Sequence, residues 1–350
     1  MNSTVRFADY GAGAIFVVAA LAGCGGSSPP IAAPEATTAL SARRAAAAST
    51  TPHFVQGASW MSPEAKTSKL LLYVGDWSTN DVFVYDYPSG KAVGTLTGND
   101  EPYGMCVDAK GDVYVANFAS GIVNEYAHGG TLIQTYSPGG ELIGCSLDAK
   151  GDLAATSFYP GNVTVYPKGK MSGATTYSDS SCEYMWAMGS DYKGDLVGFG
   201  EYTTIDVCAL LAGSKSMITL STSGITTEFP SGVTWDGKYF VLSDQEYRSE
   251  SDTGVSQATL AGKTLTYVSR TLLKGGCNSQ YVDVGGVFIF GKTNVVGSKK
   301  QGTVLMAPEL SCAYSGAGAI WFWHYPKGGA PFKTFTGPAE PYGAAVSIAE

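Results

Sequence analysis

Residues 334–343, TFTGPAEPYG, repeat residues 95–104, TLTGNDEPYG, at seven of ten positions. In the earlier copy Glu101-Pro102-Tyr103-Gly104 leads into the apolar run Met105–Val107, then into the turn Asp108-Ala-Lys-Gly-Asp112 and a second run, Val113–Ala116. The motif therefore opens a strand. Its later copy opens the same kind of strand, Ala344–Ile348, with no matching hairpin after it. That strand needs partners from elsewhere, and Leu70–Val74, Asp81–Tyr85 and Lys91–Leu96 are suited to supply them.

Two series of turns fill the interval. Hairpin signals built on Asp and Gly, which supply the backbone angles of tight turns, carry the turn glycines Gly111, Gly151, Gly194, Gly237 and Gly285. A second series reads Tyr87–Gly90, Tyr126–Gly129, Tyr166–Gly169, Leu210–Gly213, Thr259–Gly262 and Tyr325–Gly328. Six late turns stand against five early ones, and the end-to-end pairing accounts for the difference. Four strands per unit at this spacing predict an all-β, six-bladed β-propeller over 69–350, its ring closed by pairing the C-terminal strand with N-terminal strands. Such closure removes the sheet edges that an open array exposes.

Ahead of this lie two other segments. Residues 1–23 hold Arg6 and an apolar stretch, Ala12–Ala22, too short to span a bilayer. The stretch ends Leu21-Ala22-Gly23-Cys24 and resembles the lipobox of bacterial lipoproteins. That resemblance implies cleavage before Cys24, lipidation of its thiol, and a membrane contact made only through the anchor, in a bacterial cell envelope. Residues 24–68, rich in Ala, Ser, Thr and Pro, read as a disordered tether, because so few large apolar groups cannot offset ordering entropy.

Composition narrows the function. A formal charge of −8 argues against nucleic acid, which requires a clustered basic surface. Setting Cys24 aside leaves six cysteines, compatible with disulfides in an exported chain. Cys277–Cys312 is the first expected pair and Cys145–Cys182 the second, with Cys106 and Cys208 as buried thiols. Motifs for a serine elbow, a phosphate loop or a zinc helix are absent from the sequence, and its three histidines stand far apart.

Candidate ligand residues come from the loops that enter each first strand and join the second strand to the third. One feature is a carboxylate near the start of each inner strand: Glu101, Glu141, Glu183, Glu228 and Glu340, with Asn278 in the sixth unit. The other is an aromatic in the next loop: Trp77, Phe118, Phe158, Tyr202 and Tyr247. A ring of acids suits cations or polyhydroxyl ligands, and aromatics suit stacking; capping of backbone amides and packing between blades are the structural alternatives. Asp244 heads the most polar loop, through Thr253, which suits a cation or plain solvation. The residues Asp108, Asp148, Asp191, Asp236 and Asp283 read instead as turn formers on the opposite face.

The unit from Pro102 to Asn117 resembles that of NHL-repeat six-bladed propellers. Residues 101–115 are also similar to the Pro-Asp-Gly-Met-Cys-Ile-Asp segment of the regucalcin and gluconolactonase family. In that family the Asp between Pro and Gly is a metal ligand and base, whereas here Tyr103 holds the place. The sequence thus points to a monomeric binding or scaffold module, exported and lipid-anchored, with a protein or glycan ligand. No cofactor is called for. The rival reading is a metal-dependent hydrolase or lyase, lactonase-like, holding a divalent cation.

Overall fold

A computed structural model describes residues 59–186, 188–201, 205–225, 230–244, 254–275, 286–292, 299–309 and 318–349. Their strands form six antiparallel sheets, each a blade. Blade 1 comprises Pro341–Ile348, Leu70–Asp76, Asp81–Asp86 and Ala92–Leu96 from the axis outward, and Trp60–Met61 adds a fifth strand. Blade 2 runs Pro102–Val107, Val113–Asn117, Ile122–Tyr126, Leu132–Tyr136. Blade 3 runs Leu142–Leu147, Leu153–Ser157, Asn162–Tyr166, Thr175–Ser178. In blade 4 the inner strand is split into Tyr184–Met185 and Gly189–Ser190, followed by Leu196–Glu201, Ile205–Leu210 and Ile218–Thr219. Blade 5 contains Pro230–Trp235, Phe240–Asp244, Gly254–Ala261 and Thr264–Leu272, with Ser221–Ser223 pairing in parallel outside them. Blade 6 contains Phe288–Phe290, Val304–Glu309, Ala319–His324 and Lys333–Thr336.

The two ends meet as the repeated motif requires. Leu70–Asp76 pairs antiparallel with Pro341–Ile348, in register from Leu70 opposite Ile348 to Gly75 opposite Gly343. Each inner strand also touches the inner strand of the next blade, all the way round. The cores lie in these joints. Val197 and Phe199 of blade 4 pack on Val233 and Leu242 of blade 5, and Val241 of blade 5 packs on Ile289 and Leu305 of blade 6. Because a second strand such as Val113–Asn117 is covered by blades on both sides, all five of its residues are buried. Its continuous apolar run, rather than an alternation, follows from that double coverage.

Four of the five Asp-containing turns behave as expected, and Asp283 lies outside the described residues. Asp108, Asp148 and Asp191 each accept amide hydrogen bonds from the residues two and four positions on, at 2.8–3.0 Å. Asp236 accepts from Lys238 and Tyr239 at 2.7 and 2.6 Å.

Blade 6 departs from the expected pattern. Phe288–Phe290 is its inner strand, opposite Met306–Val304, so the first hairpin connection is 291–303 and not the Gly285 region. The reason lies in Gly286, which lines the axis in the same series as Gly104 and Gly343. Gly286 leads into the inner strand at the cavity wall, and Gly285 lies outside the described residues. The described residues also include folded structure ahead of Leu70, inside the stretch read as tether. Met61 packs onto Gly94 and Gly130, and Ala65 is fully buried in the short 3-10 turn Pro63–Lys66.

The cysteine pairing differs too. Cys106 bonds Cys145 and Cys182 bonds Cys208, so neither Cys106 nor Cys208 is a thiol and Cys145 does not reach Cys182. Cys106 and Cys145 occupy facing places on the inner strands of blades 2 and 3, with Cα atoms 5.6 Å apart. Cys182 precedes its split inner strand and crosses over Gly200, where a side chain would strike both its Cβ and the sulfur of Cys208. Cys277 and Cys312 lie outside the described residues, as does Cys24.

Candidate ligand site at the loop face

The recurring acid and the recurring aromatic prove to be one structural device. The amide of Trp77 donates to the carbonyl of Glu340 at 2.9 Å, that of Phe118 to Glu101 at 3.0 Å, and that of Phe158 to Glu141 at 2.7 Å. In three consecutive blades, the loop between second and third strands is thereby tied to the entry of the inner strand. Glu183 departs from the series, since its carbonyl accepts from Gly161 of the preceding blade.

This tie brings four rings together over the joint of blades 1 and 2. Trp77 lies 5.2 Å from Phe118, 5.2 Å from Tyr342 and 5.9 Å from Tyr103, centroid to centroid. Tyr103 lies 5.1 Å from Tyr342 and 6.0 Å from Phe118. The rings meet in tilted and edge arrangements, the geometry that aromatic quadrupoles favour, and all four are half-exposed. Tyr103 and Tyr342 are the tyrosines of the two Glu-Pro-Tyr-Gly copies. A second group follows across blades 3 and 4, where Phe158 lies 5.4 Å from both Tyr184 and Trp186, and Tyr159 stacks on Tyr184 at 5.3 Å.

Both groups reach the axis. The axial cavity is lined by residues of all six inner strands, including Tyr103 and Trp186. Each blade places a glycine in its wall: Gly343, Gly104, Gly144, Gly189, Gly232 and Gly286. At Gly104, Gly189 and Gly343 a Cβ would run into the backbone of the neighbouring inner strand, so the close approach of these strands requires glycine.

The acids around the tetrad are partly desolvated. Burial, followed by the charges of Asp100 and Glu141, pushes the Glu101 carboxyl above the usual carboxylate range. Burial alone raises Asp100. Glu101 also holds φ at 53°, in the left-handed region, and its amide donates to the side-chain oxygen of Asn80, itself at φ 60°, over 2.7 Å. The structure thus brings Trp77, Glu101, Phe118 and Glu340 together and sets Glu141 close enough to act on Glu101. Tyr103, read in the sequence only as standing where a related family has its metal-ligating Asp, and Tyr342, not singled out there, complete the group. Their shared position in the repeated motif was the available signal.

Other residues are placed differently. Asp244 ends the strand Phe240–Asp244, and its side chain, like Tyr202, Glu228, Tyr247 and Asn278, lies outside the described residues. Among the described residues there is no group of three or more His, Cys, Asp or Glu side chains arranged to hold a metal ion. His128, which sequence leaves without neighbours, meets Ser347 of the last strand, its Nδ1 lying 2.6 Å from Oγ. Ser347 is fully buried on the turn side, so this contact is a joint between blades and has no room for a substrate. Among the described residues no helix is long and apolar enough to cross a membrane. Two disulfides place the folded chain in an oxidising compartment.

No protein-family model matches the chain, and no curated protein matches it. Solved structures do. A chain from the crystal structure of a nidogen–laminin complex superposes with a TM-score of 0.58 at 13% identity, covering 80% of this chain and 99% of that one. A protein of unknown function from Bacteroides caccae gives 0.57 at 14% identity, covering 81% of this chain and 100% of that one. At these identities the likeness concerns the fold, and it agrees with the six sheets described above: the chain is a six-bladed β-propeller.

Proposed function

We propose that this chain is an exported, lipid-anchored binding module that takes its ligand on the loop face, at the aromatic tetrad of blades 1 and 2. One observation carries the reading. Four half-exposed rings from two blades converge beside the axial cavity, on a backbone that holds Glu101 in a left-handed conformation. Strain of this kind persists only where surrounding contacts fix it, and it gathers at functional positions. Phe199 and Trp323, by contrast, are spent on the joints between blades and are 1% and 0% exposed.

Anchoring is supported by Leu21-Ala22-Gly23-Cys24 directly after an apolar run, and export by the disulfides. Lipidation is tested by labelling cells with a tagged fatty acid: the wild-type chain takes the label and Cys24→Ser does not. The binding site is tested by a thermal-shift screen of the full chain against neutral oligosaccharides, organic cations and divalent metals, with an EDTA arm. A binding module shows a midpoint shift with an organic probe that Tyr103→Ala abolishes. A metalloenzyme shows a shift with a divalent metal that EDTA reverses, and that outcome would overturn the proposal.

A further inference from the structure

We infer that the tetrad Trp77–Tyr103–Phe118–Tyr342 receives an organic cation, an ammonium or guanidinium group, with the Glu101 carboxylate as its counter-charge. The inference rests on the loop-face binding reading and names the chemistry of its ligand.

Three observations converge on it. First, the rings are of the types whose faces attract cations, tryptophan above all and then tyrosine. This chain already uses that contact on its own surface, with the Lys299 ammonium 4.5 Å from the Tyr192 centroid and Lys238 4.6 Å from Tyr239. Second, the frame of the tetrad is made of acid positions. Phe118 hangs on the Glu101 carbonyl and Trp77 on that of Glu340, while Glu101 and Glu340 lie two residues ahead of Tyr103 and Tyr342. Third, Asp100 and Glu141 bear on a half-buried Glu101 with the same sign of charge. A cation relieves that repulsion on arrival, an anion adds to it, and a neutral sugar leaves it in place. The overall charge of −8 acts in the same sense at longer range.

The test follows the tryptophan indole resonances of the full ¹⁵N-labelled chain during titration with tetramethylammonium, and with tert-butanol as a probe of similar shape without charge. The cation is expected to move the Trp77 indole saturably and to bind at least tenfold more tightly than the alcohol. Glu101→Gln should weaken it at least threefold while leaving the melting midpoint in place, because the structural bonds of Glu101 are made by its backbone. Tyr103→Ala should weaken it further, and Glu64→Gln on the far rim should not. Comparing N-acetyl-arginine amide with a pentapeptide carrying one arginine separates a free small cation from a side chain of a polypeptide; a tenfold gain for the peptide indicates the latter, equal affinities the former, and either ratio upholds the cation. Equal binding of tert-butanol, or a Trp77 shift produced by cellotriose and not by cations, overturns the inference and leaves the loop-face reading standing. Cation binding unchanged in both Glu101→Gln and Tyr103→Ala marks diffuse attraction to an acidic surface and overturns it as well. If no probe moves Trp77, both readings fall.

Discussion

The amide of Glu101 donates to the side-chain oxygen of Asn80 over 2.7 Å, and both residues hold left-handed backbone, at φ 53° and 60°. Asparagine adopts that conformation readily, whereas glutamate does so at a cost. The pair fixes the entry to the inner strand of blade 2, and with it the positions of Tyr103 and Phe118. Glu101→Gly should relieve the backbone cost while keeping both backbone bonds. Stability is expected to rise by roughly 0.5–1 kcal/mol, the relief being partly offset by the greater freedom of glycine in the unfolded chain. Urea denaturation measures it, and the same variant should bind the loop-face ligand less well.

The disulfides differ in what they hold. Cys106–Cys145 staples two blades and closes 39 residues of chain, and Cys182–Cys208 closes 26 within blade 4. Loop-closure entropy assigns each about 3–4 kcal/mol of stabilisation. Double serine replacement of either pair should lower stability by that order in urea denaturation. Loss of the inter-blade pair should also raise amide exchange along Pro102–Val107 and Leu142–Leu147.

Acid should loosen the joint between the first and last strands. Nε2 of His128 faces the Ser68 carbonyl at 2.8 Å, so the neutral ring carries its proton there, and Nδ1 lies 2.6 Å from the Ser347 oxygen. The Ser347 hydroxyl donates to the Gly111 carbonyl over 2.5 Å. Burial, outweighing the bond to Ser68, holds the imidazole below its ordinary value of 6.5. The unfolded chain therefore takes the proton first, and the stabilisation is complete above about pH 6.5 and is lost as pH falls below it. Equilibrium unfolding from pH 7.5 to 5 should show a steeper acid decline for wild type than for His128→Gln, which keeps hydrogen-bonding capacity without titrating.

The axis should tolerate little. A Cβ on Gly343 would enter the space of the Tyr103 carbonyl on the next inner strand. Gly343→Ala is expected to cost about 1–3 kcal/mol, the range of overpacked cores, and to displace the tetrad as Tyr103 moves. Circular dichroism melts test the first effect, and ligand titration of the surviving fold tests the second.

Much of this architecture is legible in the chain because it is written several times. The Asp turns, the late turns and the doubled Glu-Pro-Tyr-Gly each report a local geometry that sequence neighbours determine. What escaped depends on register between distant strands. Cys106 meets Cys145 through the alignment of two inner strands, and Ser347 meets His128 across 219 positions. Gly286 misleads because a glycine serves a turn or the entry to an inner strand equally well, and only the distant pairing of Phe288–Phe290 with Val304–Glu309 decides between them. For the candidate site, the acids and aromatics were visible as separate series. That the amide of one binds the carbonyl of the other, and so gathers Tyr103 and Tyr342 into one cluster, appears only once the loops are seen folded together.

The most direct test of the loop-face account uses the six tryptophans of the full chain as positional reporters. With ¹⁵N-labelled indoles assigned by single replacement, any probe that raises the melting midpoint is added to saturation. The account predicts that the Trp77 resonance moves, followed by Trp186 at the cavity wall, while Trp323, wholly buried between blades 5 and 6, stays in place. A stabilising probe that shifts Trp323 or Trp60 and leaves Trp77 unmoved would contradict it.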